Sequence, residues 1–275
     1  MKNYNRAMQS FLIFEKFQGT GNDFIMIDNR AGHFFSEARV SAWCDRHTGV
    51  GADGLILIEH DISGESDFFM RYFNADGAEA SLCGNGSRCA AAFANFLHII
   101  ENQCRFRAFD GIHEAEIAEH GNAGWTVSLQ MHDVAINDIT VYPDGYYLNT
   151  GSPHFVIFKE DIEAIDVEKE GKQWRYDRRF AGGANVNFVT PRNDVLHVRT
   201  YERGVEAETL SCGTGVTAVS LAYALREHYP NRAREQKIVT RGGTLSVKFH
   251  KKENKFHHIY LTGKVKQVFE GKIIC

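Results

Sequence analysis

The chain repeats one short stretch: Cys83-Gly84-Asn85-Gly86 returns 129 residues later as Cys212-Gly213-Thr214-Gly215. Small and apolar residues fill most of the positions that follow each copy. A helix that is apolar on most of its faces is a buried helix. The pattern therefore predicts a buried helix after each cysteine, over residues 87–97 in the first copy and 216–227 in the second.

Other glycine-centred blocks recur in the same order at nearly the same spacing. Three pairs are separated by 130, 132 and 132 residues: Gly21 and Gly151, Gly51 and Gly183, Gly111 and Gly243. Strand-like patterns accompany them at residues 24–28, 55–59, 68–73, 125–130 and 244–249. Because repeats at a fixed spacing mark similar structural units, we predict an α/β fold of two pseudo-symmetric domains, 1–132 and 133–263. Each domain is expected to be a mostly antiparallel sheet or barrel wrapped around its central helix.

Composition argues against several classes of protein. The 275 residues are 43% hydrophobic and 24% charged, with a net charge of −4, which is an ordinary globular balance rather than that of a nucleic-acid binder. No run approaches the eighteen or so apolar residues of a membrane span. The six cysteines include no C-x-x-C pair and no spacing typical of zinc sites, so we expect free thiols, no metal and a cytoplasmic protein.

The two cysteine stretches are suited to binding an anion beside a reactive thiol. Glycine lets the backbone approach a ligand closely, and the free N–H groups and dipole of a helix N-terminus favour a carboxylate there. The same field is expected to lower the pKa of a cysteine towards the thiolate. If both helices start at one cleft, a substrate carboxylate lies between two thiols on opposite faces.

Two opposed thiols suit inversion at an α-carbon. One thiolate removes the proton, the other thiol delivers a proton to the opposite face, and the converging N–H groups stabilise the enolate-like charge. His154 or Glu202 could hold a cysteine in its correct protonation state, and Arg203 could bind a second carboxylate through its bidentate fork. Neutral donors and acceptors for an amino group and a carboxylate are offered by Asn22, Asn74 and Asn185.

These motifs make the chain similar to the diaminopimelate epimerases, which interconvert the LL and meso forms of diaminopimelate for lysine and peptidoglycan synthesis. The matching stretches are Gly19-Thr20-Gly21-Asn22-Asp23-Phe24, Arg46-His47-Thr48-Gly49-Val50-Gly51-Ala52-Asp53-Gly54, Asn74-Ala75-Asp76-Gly77, Cys83-Gly84-Asn85-Gly86-Ser87-Arg88-Cys89, Gly151-Ser152-Pro153-His154, Asn185-Val186-Asn187-Phe188, Tyr201-Glu202-Arg203-Gly204 and Glu208-Thr209-Leu210-Ser211-Cys212-Gly213-Thr214-Gly215.

The resemblance implies that Cys83 and Cys212 are the acid and base pair. It also implies that His154 and Glu202 assist them, without pyridoxal phosphate or another cofactor. The positions that match the family's grip on the distal end of the substrate are Asn22, Asn74, Asn185, Glu202 and Arg203. Those that match its loops around the reacting carboxylate are Gly84, Asn85, Gly213 and Thr214. The family is commonly homodimeric, and its C-terminal strand, here within 264–275, is expected to complete the first domain.

Two features depart from the family pattern. Ser152 stands where many members carry asparagine before Pro-His, so a substrate contact at this position is expected to be shorter in reach or water-mediated. The segment from Arg203 to Cys212 is one residue longer than the commonest form, which alters the expected shape of that loop but not the identity of the cysteine.

Three other interpretations remain open at this point. Proline or hydroxyproline racemases share the fold and the cysteine pair, but they typically carry histidine where this chain has Asn85. A PhzF-like isomerase of the same fold would lack the cysteine pair. A non-enzymatic, redox-sensing binding protein would also use thiols, although the 129-residue separation of Cys83 and Cys212 is unlike a C-x-x-C motif.

Overall fold

In the computed structural model, which describes residues 11–80 and 83–274, two buried helices each lie inside a ring of strands. The helices are α1 Glu37–Cys44, α2 Gly84–Phe96, α3 Val167–Arg175 and α4 Gly213–Arg226. The first strands are β1 Phe11–Gly19, β2 Asn22–Asp28, β3 Gly54–Glu59, β4 Phe68–Asn74, β5 Gln103–Ala108, β6 Gly111–Gly121 and β7 Gly124–Met131. The later strands are β8 Val134–Ala135, β9 Thr140–Tyr142, β10 Gly145–Asn149, β11 Pro153–Phe158, β12 Asn185–Arg192, β13 Val195–Glu202, β14 Ala207–Thr209, β15 Ala233–Thr240, β16 Gly243–Lys252 and β17 Lys255–Ile274.

The strands β1 to β7 pair in sequence order, and β17 pairs with both β7 and β1 to close the ring. In the second half, β10 to β13 and β15 to β17 pair in order around α4. Most pairs are antiparallel, with parallel neighbours such as β2 and β3 or β11 and β12. The predicted fold class is therefore confirmed.

Matched backbone conformations show that the two halves are repeats. Gly51 and Gly183 have φ of +78° and +73°, and Gly111 and Gly243 have φ of +136° and +139°. The two glycines of each pair occupy equivalent places in the sequence repeat. Their positive φ values are backbone conformations that residues with a Cβ rarely adopt. The five segments predicted as strands are confirmed as parts of β2, β3, β4, β7 and β16.

The two central helices begin three residues earlier than the sequence predicted. Cys83 and Cys212 are the N-cap residues, and the Gly-x-Gly stretch forms the first helical turn rather than a separate turn before it. The sequence prediction left the glycines out because glycine is a poor helix former, but the Cys83 and Cys212 carbonyls accept from the N–H groups of Ser87 and Val216 at 2.7 and 3.0 Å and so bring the glycines into the first turn. The two helix N-termini lie close together: a Cβ placed on Gly213 would lie 3.5 Å from Gly84 Cα.

Candidate functional site

The Cys83 thiol lies in a small cluster of amide side chains. Its Sγ is 3.5 Å from Asn22 Oδ1, which also accepts from Asn85 Nδ2 at 3.4 Å. Asn22 Nδ2 donates to Asp53 Oδ2 at 2.5 Å. Since Asp53 fixes the direction of the Asn22 amide, the Asn22 oxygen is the atom turned towards the sulfur. The structure thus brings Asn22 and Asn85 to Cys83.

The Cys212 thiol has an equivalent set of hydroxyl neighbours. Its Sγ is 3.5 Å from Thr214 Oγ1, which lies 3.1 Å from Ser152 Oγ and 2.8 Å from His154 Nε2. Ser152 Oγ in turn accepts from Asn185 Nδ2 at 3.1 Å. Thr214 therefore lies between the imidazole of His154 and the sulfur.

Ser152, which departs from the family pattern, has a counterpart in the first half of the repeat. Ser152 occupies the place of Asn22 in the repeat, and Thr214 occupies the place of Asn85. Asn22 and Ser152 act in the same way in their own halves: each is the hydrogen-bond partner of the residue two positions after the cysteine. The Ser152 hydroxyl thus belongs to the hydrogen-bonded cluster around Cys212.

The two thiol clusters meet in one place. Asn85 Nδ2 donates to the carbonyl of Ser211, the residue before Cys212, at 3.0 Å. A negative charge on Cys83 raises the pKa of Cys212, and a charge on Glu202 raises the pKa of both thiols. These electrostatic effects require proximity, so both cysteines and Glu202 lie near one another.

Burial raises the pKa of both cysteine thiols above the usual value. The expectation of a lowered pKa is therefore wrong for this structure. The N–H groups of Gly86 and Gly215 act in the expected direction on Cys83 and Cys212, but the removal of solvent from the sulfurs has the larger effect. Thiolate formation at either sulfur therefore depends on stabilising partners.

His154 is fully buried and held in one tautomer. Asn187 Nδ2 donates to Nδ1 of His154 at 3.1 Å, which leaves the ring proton on Nε2, facing Thr214. Asn187 Oδ1 accepts from Thr200 Oγ1 at 3.0 Å. The sequence analysis missed Asn187 as a site residue. The available signal was its position two residues after Asn185, since alternate residues of a strand share one face.

The structure brings together only some of the residues expected at the distal end of the substrate. Asn185 Oδ1 accepts from the backbone N–H of Arg203 at 2.8 Å, while the Arg203 side chain is exposed. Glu202 is half-buried, and burial raises the pKa of its carboxyl. Asn74 ends β4 and is exposed, and among the described residues no hydrogen bond joins its side chain to either thiol cluster.

The segment after Arg203 forms a turn that is held by hydrogen bonds to Glu206. Glu206 has a φ of +59°. Its carboxylate accepts from the backbone N–H of Gly204 and from Arg175 Nε, each at 3.0 Å, and from Tyr176 Oη at 2.9 Å. These contacts hold the turn in place, and Cys212 is the N-cap of α4.

The described residues include neither a metal-binding group of side chains nor a membrane-spanning helix. Within residues 11–80 and 83–274, no group of three or more His, Cys, Asp and Glu side chains is arranged to hold a metal ion. In that same part of the chain, no helix combines the length and the apolar character needed to cross a membrane.

Removal of the Thr214 hydroxyl tests its link to Cys212. We expect Thr214→Val to lower kcat/KM by about tenfold to a hundredfold, the value of one hydrogen bond to a charged group, because the thiolate loses a donor and His154 Nε2 keeps only Ser152 Oγ, at 3.0 Å, as a hydroxyl partner. The matched control is Thr217→Val, since the Thr217 hydroxyl bonds to the Gly213 carbonyl at 3.0 Å rather than to a thiol. Equal kinetics for the two variants, in an assay of the inversion at an α-carbon that the sequence predicts, would contradict the assignment.

The buried imidazole gives the fold a specific sensitivity to acid. Burial, aided by the charge of Arg203, lowers the pKa of His154 from 6.5 to about 3. Between these two values the unfolded chain binds a proton at His154 and the folded chain does not, so stability is lost as the pH falls through this range. Urea titrations from pH 7 to pH 4 should show a steeper loss of unfolding free energy in the native chain than in His154→Gln. Parallel curves would show that His154 is not buried as a neutral ring.

Comparison with known proteins places the chain among one family. The family model for diaminopimelate epimerase matches residues 14–136 and again residues 146–268. A diaminopimelate epimerase from Flavobacterium psychrophilum is 44% identical over 94% of this chain and 98% of its own length. One from Aquifex aeolicus is 41% identical over 94% of this chain and 97% of its own length.

Solved structures with low sequence identity share the fold. A PhzF-family phenazine biosynthesis protein from Bacillus anthracis superposes with a TM-score of 0.75 at 15% identity, covering 97% of this chain and 100% of that one. A hydroxyproline epimerase from Agrobacterium vitis, with bound trans-4-hydroxy-L-proline, gives 0.69 at 12% identity, covering 96% and 91%. At these identities the likeness concerns the fold alone, whereas the sequence matches are specific. The chain belongs to the diaminopimelate epimerase family.

Proposed function

We propose that this chain interconverts LL- and meso-diaminopimelate by two-base proton transfer between Cys83 and Cys212, without pyridoxal phosphate, in lysine and peptidoglycan precursor synthesis. The observation that carries the proposal is the meeting of two helix N-termini, each capped by one of these cysteines. The two halves supply one thiol each, and in this proposal the two thiols face a common substrate position.

The reaction follows from this arrangement. The thiolate of one cysteine takes the α-proton, and the electron pair of the C–H bond passes into the substrate carboxylate to give an enolate-like species. The other thiol donates its proton to the opposite face of the same carbon and becomes the thiolate. The N–H groups at the start of α2 and α4, from Gly84, Asn85, Gly213 and Thr214, stabilise the charge on the carboxylate. The two cysteines exchange roles in the reverse direction.

The polar residues around the thiols complete the scheme. His154 donates to Thr214 and so directs the hydroxyl of Thr214 towards Cys212, as a positioning residue. The exposed guanidinium of Arg203 suits the distal carboxylate of a substrate with two amino-acid ends. We assign Glu202, Asn22, Asn74, Asn185 and Ser152 to the remaining polar contacts of the substrate. This distal binding favours diaminopimelate over the smaller substrates of proline racemases.

Solvent exchange tests the proposed activity directly. Purified protein without added cofactor, kept reduced, should incorporate one deuterium at the α-carbon of LL-diaminopimelate in D₂O and convert it to the meso form. Proline should show no exchange. Exchange of proline without exchange of diaminopimelate would favour a proline racemase, and exchange of neither would favour the redox-sensing interpretation.

We further propose two domains, 1–132 completed by 264–275, and 133–263. The pairing of β17 with β1 supports this division, since residues 265–274 lie against residues 11–19. Residues 1–10 and 275 lie outside the described residues. Limited proteolysis should cleave near residue 133 before it cleaves within either ring of strands, and early cleavage inside a ring would contradict the division.

We also propose a cytoplasmic homodimer. The described cysteines are all free thiols, as is usual in the cytoplasm. On one face of the β1 and β17 pair, Phe11, Ile13 and Ile274 are 57%, 63% and 56% exposed, and such apolar patches often mark interfaces. Light scattering should give the mass of a dimer, and Ile13→Asp should shift it towards the monomer. A native chain of monomeric mass would contradict the proposal.

A further inference from the structure

Arg88 is a fully buried arginine on the second turn of α2. Its side chain runs back along the helix, so that its guanidinium lies at the helix N-terminus. Nη1 donates to the Gly84 carbonyl at 3.3 Å, and Nη2 donates to Asn85 Oδ1 at 2.8 Å and to Thr20 Oγ1 at 2.9 Å. Nε is buried and has no hydrogen-bond partner within the part of the chain that the structure describes.

This guanidinium has no carboxylate partner among the described residues. The ion pairs within 11–80 and 83–274 include other arginines, but none joins Arg88 to an aspartate or glutamate. All three of its acceptors are neutral oxygens. A buried charge is costly unless it is paired. An uncompensated buried cation beside a reactive site is therefore a candidate for a functional role.

The charge of Arg88 lies close to the Cys83 thiol. Arg88 Nη2 donates to Asn85 Oδ1, Asn85 Nδ2 donates to Asn22 Oδ1, and Asn22 Oδ1 lies 3.5 Å from Cys83 Sγ. Burial raises the pKa of the Cys83 thiol and lowers the pKa of the Arg88 guanidinium, and the charge of each group acts against that effect on the other. The other titratable groups that act with Cys83 are Glu202 from β13, Tyr72 from β4 and the Cys212 thiol. Each of these is neutral or negative, and the nearby cations Lys16 and Arg46 are paired with Asp23 and Asp53, so Arg88 supplies a positive charge without a carboxylate partner among the described residues.

Among the described residues, the second half has no buried cation at the equivalent position. The repeat places Thr217 where the first half has Arg88, 129 residues earlier. Thr217 is buried, and its hydroxyl donates to the Gly213 carbonyl at 3.0 Å, as Arg88 does to the Gly84 carbonyl. The two thiol sites are therefore unequal: the Cys83 side has a buried cation, and the Cys212 side has the neutral pair of Thr214 and His154.

We propose that Arg88 is the counter-charge for negative charge formed at the N-terminus of α2, on the Cys83 thiolate and on the reacting carboxylate beside Gly84 and Asn85. The inference rests on the two-thiol function proposed above. Arg88 acts through Cys83 and the helix N-terminus, so it is a positioning residue rather than a catalytic one. Through Asn85, which it shares with the Ser211 carbonyl, it also holds the two halves in register.

The pH profile of Cys83 alkylation tests the proposal without any use of epimerase activity. In a Cys212→Ala background, iodoacetamide modification of Cys83 is followed by peptide mapping from pH 6 to pH 11. We expect Arg88→Gln to move the midpoint upwards by at least about one pH unit, with about tenfold slower modification below the midpoint. Arg88→Lys should restore most of the shift, and the matched control Thr217→Val should leave the midpoint unchanged.

An unchanged midpoint in folded Arg88→Gln would overturn the proposal, while leaving the epimerase function to stand on solvent exchange. A second measurement avoids the risk that this variant does not fold. In the Cys212→Ala chain labelled with ¹⁵N-arginine, the Arg88 Nε resonance should move with the same midpoint as Cys83 alkylation. A resonance that stays constant through that midpoint would overturn the proposal as well.

Discussion

Replacement of either Cys83 or Cys212 by alanine is expected to lower kcat/KM for epimerisation by at least about 10²–10⁴-fold, the usual contribution of a general acid or base. Each thiol serves one face of the α-carbon, so neither can replace the other. The conversion of LL- to meso-diaminopimelate, followed by chiral separation of the products, measures the loss in both directions.

Cys104→Ala is the matched control for these two variants. Cys104 is a buried free thiol in β5, so its replacement removes a sulfur from the core without touching the site. We expect this variant to lose some thermal stability and to keep its kcat. If either Cys83→Ala or Cys212→Ala kept nearly full activity, a two-base mechanism with these thiols would be refuted.

Gly215→Ala is expected to have the next largest effect, although it adds only a methyl group. A Cβ at this position would lie 2.5 Å from Asn187 Oδ1 and 3.4 Å from Cys212 Sγ. Asn187 is fully buried, so it cannot move aside without displacing His154. Because a shift of about 1 Å in a catalytic group can cost about a hundredfold, we expect kcat to fall by at least that factor.

Gly121→Ala provides the comparison for this substitution. Gly121 ends β6, and a Cβ there would meet no atom within 4 Å. Its thermal unfolding and its kcat should match those of the native chain. A Gly215→Ala protein with native kcat and native unfolding temperature would mean that Asn187 does not constrain the Cys212 side of the site.

The architecture was predictable because two independent patterns agreed. The spacing of the glycine blocks indicated two similar halves, and the apolar runs after Cys83 and Cys212 indicated a buried helix in each. Both signals are local in sequence and need no knowledge of packing. The family resemblance then assigned roles to residues that the patterns alone left with alternatives, such as His154.

Three properties of the site could not be predicted, since each depends on contacts between distant parts of the chain. The helices start at Gly84 and Gly213 although glycine is a poor helix former, because both helix ends lie where the two halves of the chain meet. The raised pKa of the thiols reflects burial by both halves. The role of Asn187 becomes visible only when β11 and β12 place it beside His154.

The long strand β17 has a consequence for the way the chain is made and folds. Its first part lies against β16, and its last part closes the first ring against β1, so Phe11 pairs with Ile274. During synthesis the first ring therefore lacks its eighth strand until residues 265–274 have left the ribosome. Contacts across so much of the sequence favour slow folding, and the helix carrying Cys83 stays open to solvent and to aggregation until the ring closes. A chain that ends before residue 265 should therefore be inactive. Every residue assigned to catalysis is present in it, but the first ring, which positions Cys83 against the Cys212 half, is not closed.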